Sequence, residues 1–283
     1  MTAGTVAVDD PDWSEASAIA EVLASGGVRS MFQPIVDLAT GRVVAYEALA
    51  RGPVGPMESP LALFGAARRC GLLAELDEAC RAAAIRGASE LGLLEPLTVF
   101  VNVEPEVIEN AAFTDLLAII EAAPGDLRIV LEITERALAA RPAELLRTVE
   151  RVRALGWGIA LDDVGADPTS LAFMSLLRPD VIKLDLGLVQ GEPSPEIAGV
   201  MNAVNAYAER SGALILAEGI EDTGHVTTSL ALGATLGQGW FFGRPTFTAA
   251  PQPEARALNL PSAGRRVPSE DDVASATPTR PPP

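Results

Sequence analysis

The sequence predicts an α/β fold, a modified (βα)8 barrel of the TIM type with an antiparallel first strand. Short runs of β-branched residues alternate with longer amphipathic stretches rich in alanine, leucine and arginine, as in sheets whose parallel strands are joined by helices. About eight such runs occur between residues 31 and 242. A doubly wound open sheet is the alternative, but no G-x-G-x-x-G motif follows the first predicted strand.

The predicted strands are, in chain order, Met31–Leu38, Val43–Leu49, Leu97–Val103, Arg128–Thr134, Gly158–Asp163, Val181–Asp185, Leu214–Ile220 and a last one near Gly239–Phe242. The first two are joined by a turn that ends at Thr40 and Gly41 and is too short for a helix, so they should form an antiparallel hairpin. About six or seven helices are predicted, among them Leu72–Leu91, Thr114–Ala122, Ala143–Leu155, Pro195–Ser211 and Thr223–Leu232.

The chain is expected to divide into three parts. Residues 1–12 should be a flexible N-terminus, and residues 13–249 should form the barrel domain. Residues 250–283 should be a Pro-rich disordered tail, because they hold 8 of the 22 prolines and show no hydrophobic periodicity. We therefore expect that deleting residues 251–283 leaves both activity and thermal stability nearly unchanged.

The charge and composition of the chain exclude several classes of function. The 283 residues include 38 acidic and 21 basic side chains, a formal net charge of −17, which argues against binding a nucleic-acid polymer or an anionic membrane surface. The single histidine excludes zinc sites that need two. No signal peptide and no membrane-spanning run is evident, so we expect a cytoplasmic protein without membrane insertion, with Cys70 and Cys80 as free thiols.

Polar residues stand at or near the ends of six apolar strands. They are Glu47, Asn102, Glu132, the pair Asp162 and Asp163, the pair Lys183 and Asp185, and Glu218. A single acid in such a place is most simply a strand-end cap, but six in succession predict a site, because the C-terminal strand ends of a barrel converge on one face.

The chemistry of this set points to divalent cations. Carboxylate and amide oxygens suit Mg²⁺ or Mn²⁺ rather than zinc, and an adjacent aspartate pair can serve two ions. Two ions about 3.5–4 Å apart promote in-line displacement at phosphorus. Lys183 would contact a phosphate oxygen or the attacking water, with an ordinary ion pair to one of the acids as the alternative. The residues by themselves thus predict metal-dependent chemistry, with a phosphate ester as the expected substrate.

Seven ordered motifs carry a family resemblance between about Met31 and Pro245. They are F-Q-P-I-V-D from Phe32 with E-A-L-A-R from Glu47, V-N-V from Val101, E-I-T-E from Glu132, L-D-D-V-G from Leu161, I-K-L-D from Ile182, A-E-G-I-E from Ala217 and Q-G-W from Gln238. With these motifs the chain resembles the EAL domain, the bacterial cyclic di-GMP phosphodiesterase. The resemblance implies a modified barrel with an antiparallel first strand. It also implies hydrolysis of cyclic di-GMP to linear pGpG with Mg²⁺ or Mn²⁺, and a possible homodimer.

The resemblance also implies a role for each matched residue. Glu47, Asn102, Glu132 and Asp162 match ligands of a first metal, with Asp162 and Asp163 serving a second. Lys183 matches a residue that orients the attacking water, Glu218 a general base and Glu221 an accessory acid. Gln33, Leu49, Arg51 and Gln238 match the substrate-binding set, with Arg51 on a phosphate and Gln238 near the metals. Glu135 matches the acid that anchors the loop after the aspartate pair.

That loop departs from the family pattern. Active members usually read D-D-F-G-T-G-[YF]-S-S, whereas residues 162–170 read D-D-V-G-A-D-P-T-S. The loss of a glycine and the gain of Pro168 both restrict the backbone, and Asp167 is either a further cation ligand or a solvated acid. Three functions stay open: a phosphodiesterase, a cyclic di-GMP receptor with little turnover, or a protein-interaction scaffold. The complete ligand set favours the enzyme.

Overall fold

Eight strands close into one barrel in the computed structural model, which describes residues 11–104, 106–107, 125–134, 142–165, 170–191, 194–249, 255 and 257–261. The strands are β1 (Arg29–Asp37), β2 (Val43–Arg51), β3 (Thr98–Asn102), β4 (Arg128–Thr134), β5 (Gly158–Val164), β6 (Val181–Leu184), β7 (Leu214–Ala217) and β8 (Leu236–Gln238). β1 pairs antiparallel with both β2 and β8, and every other neighbouring pair is parallel. The predicted fold class, including its antiparallel first strand, is confirmed.

The last strand is the one placed wrongly. It occupies Leu236–Gln238, before the predicted Gly239–Phe242, which forms a turn instead. A Cβ on Gly239 would lie 2.0 Å from the carbonyl oxygen of Ile220, so the chain crosses another backbone at this glycine. The aromatic run after Gly239 gave a strand-like pattern, but this close crossing diverts the chain into a turn.

The described helices are α1 (Pro11–Ala24), α2 (Pro60–Arg69), α3 (Leu73–Glu90), α4 (Pro142–Ala154), α5 (Ser170–Leu177), α6 (Leu186–Gln190), α7 (Pro195–Ser211) and α8 (Thr223–Ala231). α7 has the predicted bounds, because Ser194 caps its first turn and Gly212 takes a left-handed conformation, with φ of 78°, after its last residue. α1 starts inside the segment that was expected to be flexible. The predicted helix Thr114–Ala122 lies outside the described residues. None of the described helices is long and apolar enough to cross a bilayer.

The inside of the barrel is apolar at one end. Each strand contributes at least one buried residue to this lower cluster: Ile35, Ala45, Phe100, Val130, Ala160, Val181, Leu216 and Leu236. A separate and larger cluster packs the outside of the barrel against its helices. Because strand side chains alternate in direction, the residue two positions along each strand also faces inward, at the opposite end of the barrel.

Two leucines of the expected tail also belong to the lower cluster, which corrects the prediction of disorder for residues 257–261. Leu258 and Leu260 are 4% and 5% exposed, and the alternating residues Ala257 and Asn259 are exposed. The carbonyl of Leu258 accepts a hydrogen bond from Arg128 Nη2 at 3.3 Å. A Cβ on Gly158 would lie 2.8 Å from Leu260 Cδ1, so the missing side chain there makes room for Leu260. This tail segment therefore closes the lower end of the barrel.

Candidate active site

A ring of polar side chains occupies the upper end of the barrel, with one residue from each strand or its end. Two positions from each apolar residue of the lower cluster stand Gln33, Glu47, Asn102, Glu132, Asp162, Lys183, Glu218 and Gln238. In the antiparallel β1 the step runs backwards, from Ile35 to Gln33. The two-residue period of the strands thus turns an apolar floor into a polar ring directly above it. The structure brings all eight residues together as the sequence predicts.

Lys183 lies at the centre of the ring and is buried. Its Nζ is 2.8 Å from Glu132 Oε1, 2.9 Å from Glu218 Oε1, 3.0 Å from Asp162 Oδ1 and 3.8 Å from Glu47 Oε1. One cation among four carboxylates leaves the group with a net negative charge. Lys183 is therefore more than one member of a simple ion pair, and the cluster retains charge that can attract further cations.

Amide side chains hold Glu47 in place. Asn102 Nδ2 donates to Glu47 Oε1 at 3.0 Å, and Gln238 Nε2 donates to Glu47 Oε2 at 2.5 Å. Gln238 Nε2 also lies 3.2 Å from Gln33 Oε1, and Gln33 Nε2 donates to the carbonyl of Gly243 at 3.1 Å. Both oxygens of Glu47 are thus oriented by a chain of hydrogen bonds that crosses the barrel from β3 to β1.

A bulge brings the two adjacent aspartates into one site. The register between β5 and β6 shifts between Leu161 and Val164, and Asp163 takes a left-handed conformation with φ of 58°. Oxygen atoms of Asp162, Asp163 and Glu218 all lie within 4.8 Å of one another. In a regular strand the two aspartates would point to opposite faces, so the bulge redirects Asp163 into the site.

The charges of the ring shift the pKa values of its members. Burial and the neighbouring Glu47 carboxylate raise the pKa of Glu132 well above its usual value. Burial raises the pKa of Glu218 to about 8 against the opposing pull of Lys183, with Asp162 contributing to the rise. Burial opposes ionisation of Glu47 too, but Lys183, Asn102 and Gln238 hold its pKa below the ordinary value. The metal-free ring therefore keeps protons that a bound cation would displace.

The donor set fits a divalent cation. In the buried Glu132, Oε1 lies 2.8 Å from Lys183 Nζ, whereas Oε2 accepts no hydrogen bond from the described residues. A buried carboxylate oxygen without a partner is costly unless it coordinates a cation. Glu132, Asp162, Asp163 and Glu218 together offer an all-oxygen environment of the kind that Mg²⁺, Mn²⁺ and Ca²⁺ prefer.

The remaining predicted residues lie around the ring or beyond the described part of the chain. Leu49 and Asn102 border a cavity of about 410 Å³ between β2, β3 and the helices α2 and α3. The guanidinium of Arg51 donates to the carbonyl of Ala50 at 2.7 Å, and its pKa is lowered by burial, in part offset by Glu47. Glu221 is exposed, and its backbone N–H donates to His225 Nδ1. Glu135 and Asp167 lie outside the described residues.

The polar ring includes two residues that the strand-end pattern did not find. Gln33 and Gln238 entered the predicted site only through the family resemblance, because Gln33 lies near the start of the predicted first strand and Gln238 lies just before the predicted last strand. The signal was present in the two-residue spacing: Leu236 to Gln238, and Ile35 back to Gln33, repeat the step from Val130 to Glu132. Reading β1 backwards requires knowing that it is antiparallel.

Comparisons with known proteins agree with this geometry. The chain is 30% identical over 239 residues to the cyclic di-GMP phosphodiesterase NbdA of Pseudomonas aeruginosa, covering 82% of this chain and 30% of NbdA. It is 28% identical over 243 residues to the cyclic di-GMP phosphodiesterase RocR of the same species, covering 82% of this chain and 62% of RocR. The chain thus spans less than two thirds of either relative.

A solved structure shows the same fold with a nucleotide and a metal. The manganese and cyclic di-GMP complex of BlrP1 from Klebsiella pneumoniae, at pH 9.0, superposes with a TM-score of 0.66 at 27% identity, covering 78% of this chain and 56% of BlrP1. The EAL domain family matches residues 16–245, which include the whole barrel and all eight residues of the polar ring. The chain belongs to the EAL domain family.

Proposed function

We propose that this chain is a metal-dependent phosphodiesterase that hydrolyses cyclic di-GMP to linear pGpG. The observation that carries the proposal is the intact polar ring, in which Lys183 lies among four carboxylates and Glu132 offers a buried oxygen, Oε2, that accepts no hydrogen bond from the described residues. Family members that have this nucleotide or this activity in their names support the choice of substrate. The scaffold alternative would not require the ring to be complete.

Two sets of residues would hold two Mg²⁺ or Mn²⁺ ions. The first set is Glu47, Asn102, Glu132 and Asp162, and the second is Asp162 with Asp163. When bound, the ions would supply Lewis acidity for the phosphate and lower the pKa of a water molecule.

The chain's own residues would position the reactants. Lys183 would hold the attacking water by its ammonium group, and Glu218, whose oxygen lies 2.9 Å from Lys183 Nζ, would accept the proton of that water. The water oxygen forms a bond to phosphorus while the bond between phosphorus and the ribose O3′ breaks. O3′ takes a proton from solvent, and Glu218 later returns the proton of the attacking water to solvent. Arg51 would contact a non-bridging phosphate oxygen, and Leu49 would pack against the nucleoside.

Product analysis tests the proposal directly. Purified chain incubated with cyclic di-GMP and Mg²⁺ or Mn²⁺ should release pGpG, and a chelator should stop the reaction. Chromatography that separates the two nucleotides measures the result. Retained binding without product under either ion would favour the receptor alternative, for which the altered loop from Val164 to Ser170 is the specific observation.

Metal affinity should rise with pH. Because burial raises the pKa of Glu218 to about 8 in the metal-free chain, this carboxyl holds a proton at neutral pH, and a cation bound at the neighbouring Asp162 and Asp163 would expel that proton by electrostatic repulsion. Below about pH 8 the affinity for Mg²⁺ should increase by up to about tenfold per pH unit for each proton released. Calorimetric titration at about pH 6.5 and about pH 8.5 measures this slope, and Glu218→Gln should reduce it. A slope of zero in the unmodified chain would show that the carboxylates are already ionised.

Two further expectations accompany the proposal. The family resemblance suggests a homodimer, which light scattering of the purified chain would detect. A reducing cytoplasm is the expected compartment, in agreement with the unpaired thiols of Cys70 and Cys80.

A further inference from the structure

The turn that follows β8 exposes two aromatic rings. Trp240 is 54% exposed and Phe241 is 47% exposed, and they are the aromatic members among the large apolar side chains that stay exposed in the described residues. A tryptophan has a large apolar surface, so leaving half of it in water forgoes a stabilisation that burial would give. An exposed ring of this kind indicates a ligand or partner that covers it.

This turn is fixed rigidly to the polar ring. Trp240 lies two residues after Gln238, which hydrogen-bonds Glu47. The backbone N–H of Phe241 donates to the carbonyl of Ile220 at 3.0 Å, and the carbonyl of Gly243 accepts from Gln33. The turn is thus tied at both ends to residues that line the site, so the site positions the backbone from which the Trp240 side chain extends.

A cation supports the indole ring. The guanidinium carbon of Arg244 lies 3.8 Å from the centre of the Trp240 ring, a cation–π geometry. The guanidinium covers one part of the ring, while more than half of the Trp240 side chain stays open to solvent. Arg244 also places a positive charge beside the indole in a chain whose net charge is −17. An aromatic face next to a cation suits a ligand that combines a planar base with a phosphate.

We propose that Trp240, supported by Arg244, stacks against one of the two guanine bases of cyclic di-GMP. The inference rests on the proposed substrate: the metal ligands and Lys183 account for one phosphodiester, and neither contributes an aromatic surface for a base. Base–aromatic stacking contributes enough in other proteins to change affinity by about tenfold or more per base. Trp240 is therefore a substrate-positioning residue at the edge of the site, and the chemical step is left to the polar ring.

Steady-state kinetics with three variants tests the stacking. Trp240→Ala should raise KM for cyclic di-GMP about tenfold with little change in kcat, since the ring contributes equally before and during the reaction. Trp240→Phe keeps an aromatic face and should recover most of the loss. Leu230→Ala, which removes a side chain that is 51% exposed on α8, should behave as the unmodified chain. An unchanged KM for Trp240→Ala, or an equal loss in Trp240→Phe, would overturn the proposal.

Fluorescence separates this proposal from the proposed function. Equilibrium dialysis in the presence of Ca²⁺ measures the binding of cyclic di-GMP. In the unmodified chain this binding should quench the tryptophan emission, and most of the quenching should disappear in Trp240→Phe. If the chain binds the nucleotide but releases no pGpG, the phosphodiesterase fails while the quenching still tests the stacking. Binding without any quenching overturns the stacking alone. Absence of binding overturns both.

Discussion

Replacing Glu47 with alanine is expected to abolish the hydrolysis of cyclic di-GMP, with a loss of at least about 1,000-fold in kcat, because a bound ion supplies several kcal/mol of transition-state stabilisation. Glu47 would be a ligand whose two oxygens are held by Asn102 and Gln238. Without it Asn102 loses this acceptor, Gln238 keeps only Gln33 Oε1, and the metal loses an oriented carboxylate. The measurement is pGpG release at saturating substrate and metal.

The same variant should keep its fold. Lys183 still has Glu132, Asp162 and Glu218 within 3.0 Å, so its charge remains balanced. Removing Glu47 also relieves the repulsion that helps to raise the pKa of Glu132. Thermal unfolding without metal should therefore lie close to that of the unmodified chain, whereas the stabilisation by added Mn²⁺ should be lost.

Glu209→Ala provides the matched control, since it removes one carboxylate from an exposed position on α7. It should keep both the turnover and the Mn²⁺-dependent rise in melting temperature. If Glu47→Ala hydrolysed the nucleotide at the unmodified rate, the assignment of the polar ring as the metal site would be wrong.

The sequence predicted most of the barrel because strand periodicity and turn chemistry are local. β4 and α7 have the expected bounds, and the hairpin of β1 and β2 follows from the length of its turn. β8 was misplaced because its end is set by Ile220, a residue that is distant in sequence. Local patterns carry no information about such a crossing.

In the site, too, some features follow from local sequence patterns and others depend on residues that are distant in sequence. Acids at strand ends could be read directly, since each interrupts an apolar run. The arrangement around Asp163 could not, because its left-handed backbone arises from a bulge between β5 and β6. In a regular strand the side chains of Asp162 and Asp163 would point to opposite faces, whereas the bulge lets both reach one cluster. Register shifts depend on the pairing of two strands and are not visible in either one.

The tail holds the packing contacts with the largest expected effect on stability that the sequence did not predict. Residues 257–260 read A-L-N-L, a two-residue alternation too short to stand out among the surrounding prolines. The alternation matters because of the lower end of the barrel, where Leu258 and Leu260 pack against apolar residues that would otherwise face water. A segment of four residues can be buried by a cavity that other strands create, and no property of the segment itself predicts this.

Two truncations should therefore differ sharply in stability. A chain that ends at Pro261 keeps Leu258 and Leu260 in place and should unfold near the temperature of the full chain. A chain that ends at Ala249 loses both leucines and the hydrogen bond from Arg128, and it exposes Phe100, Val130 and their neighbours to water. Truncating one buried leucine to alanine costs about 2–5 kcal/mol, so the loss should be at least of this order. Denaturant unfolding of both chains measures the difference.

Point substitutions separate packing from chain length. Leu260→Ala in the full chain should reproduce a large part of the destabilisation, since Leu260 fills the space above Gly158. Asn259→Ala, an exposed neighbour in the same segment, should have almost no effect. Equal stability of the two truncated chains would instead restore the expectation of an unpacked tail. The polar ring lies two residues along every strand from this lower cluster, so loosening the packing of the cluster should also weaken the metal-dependent activity proposed for the ring.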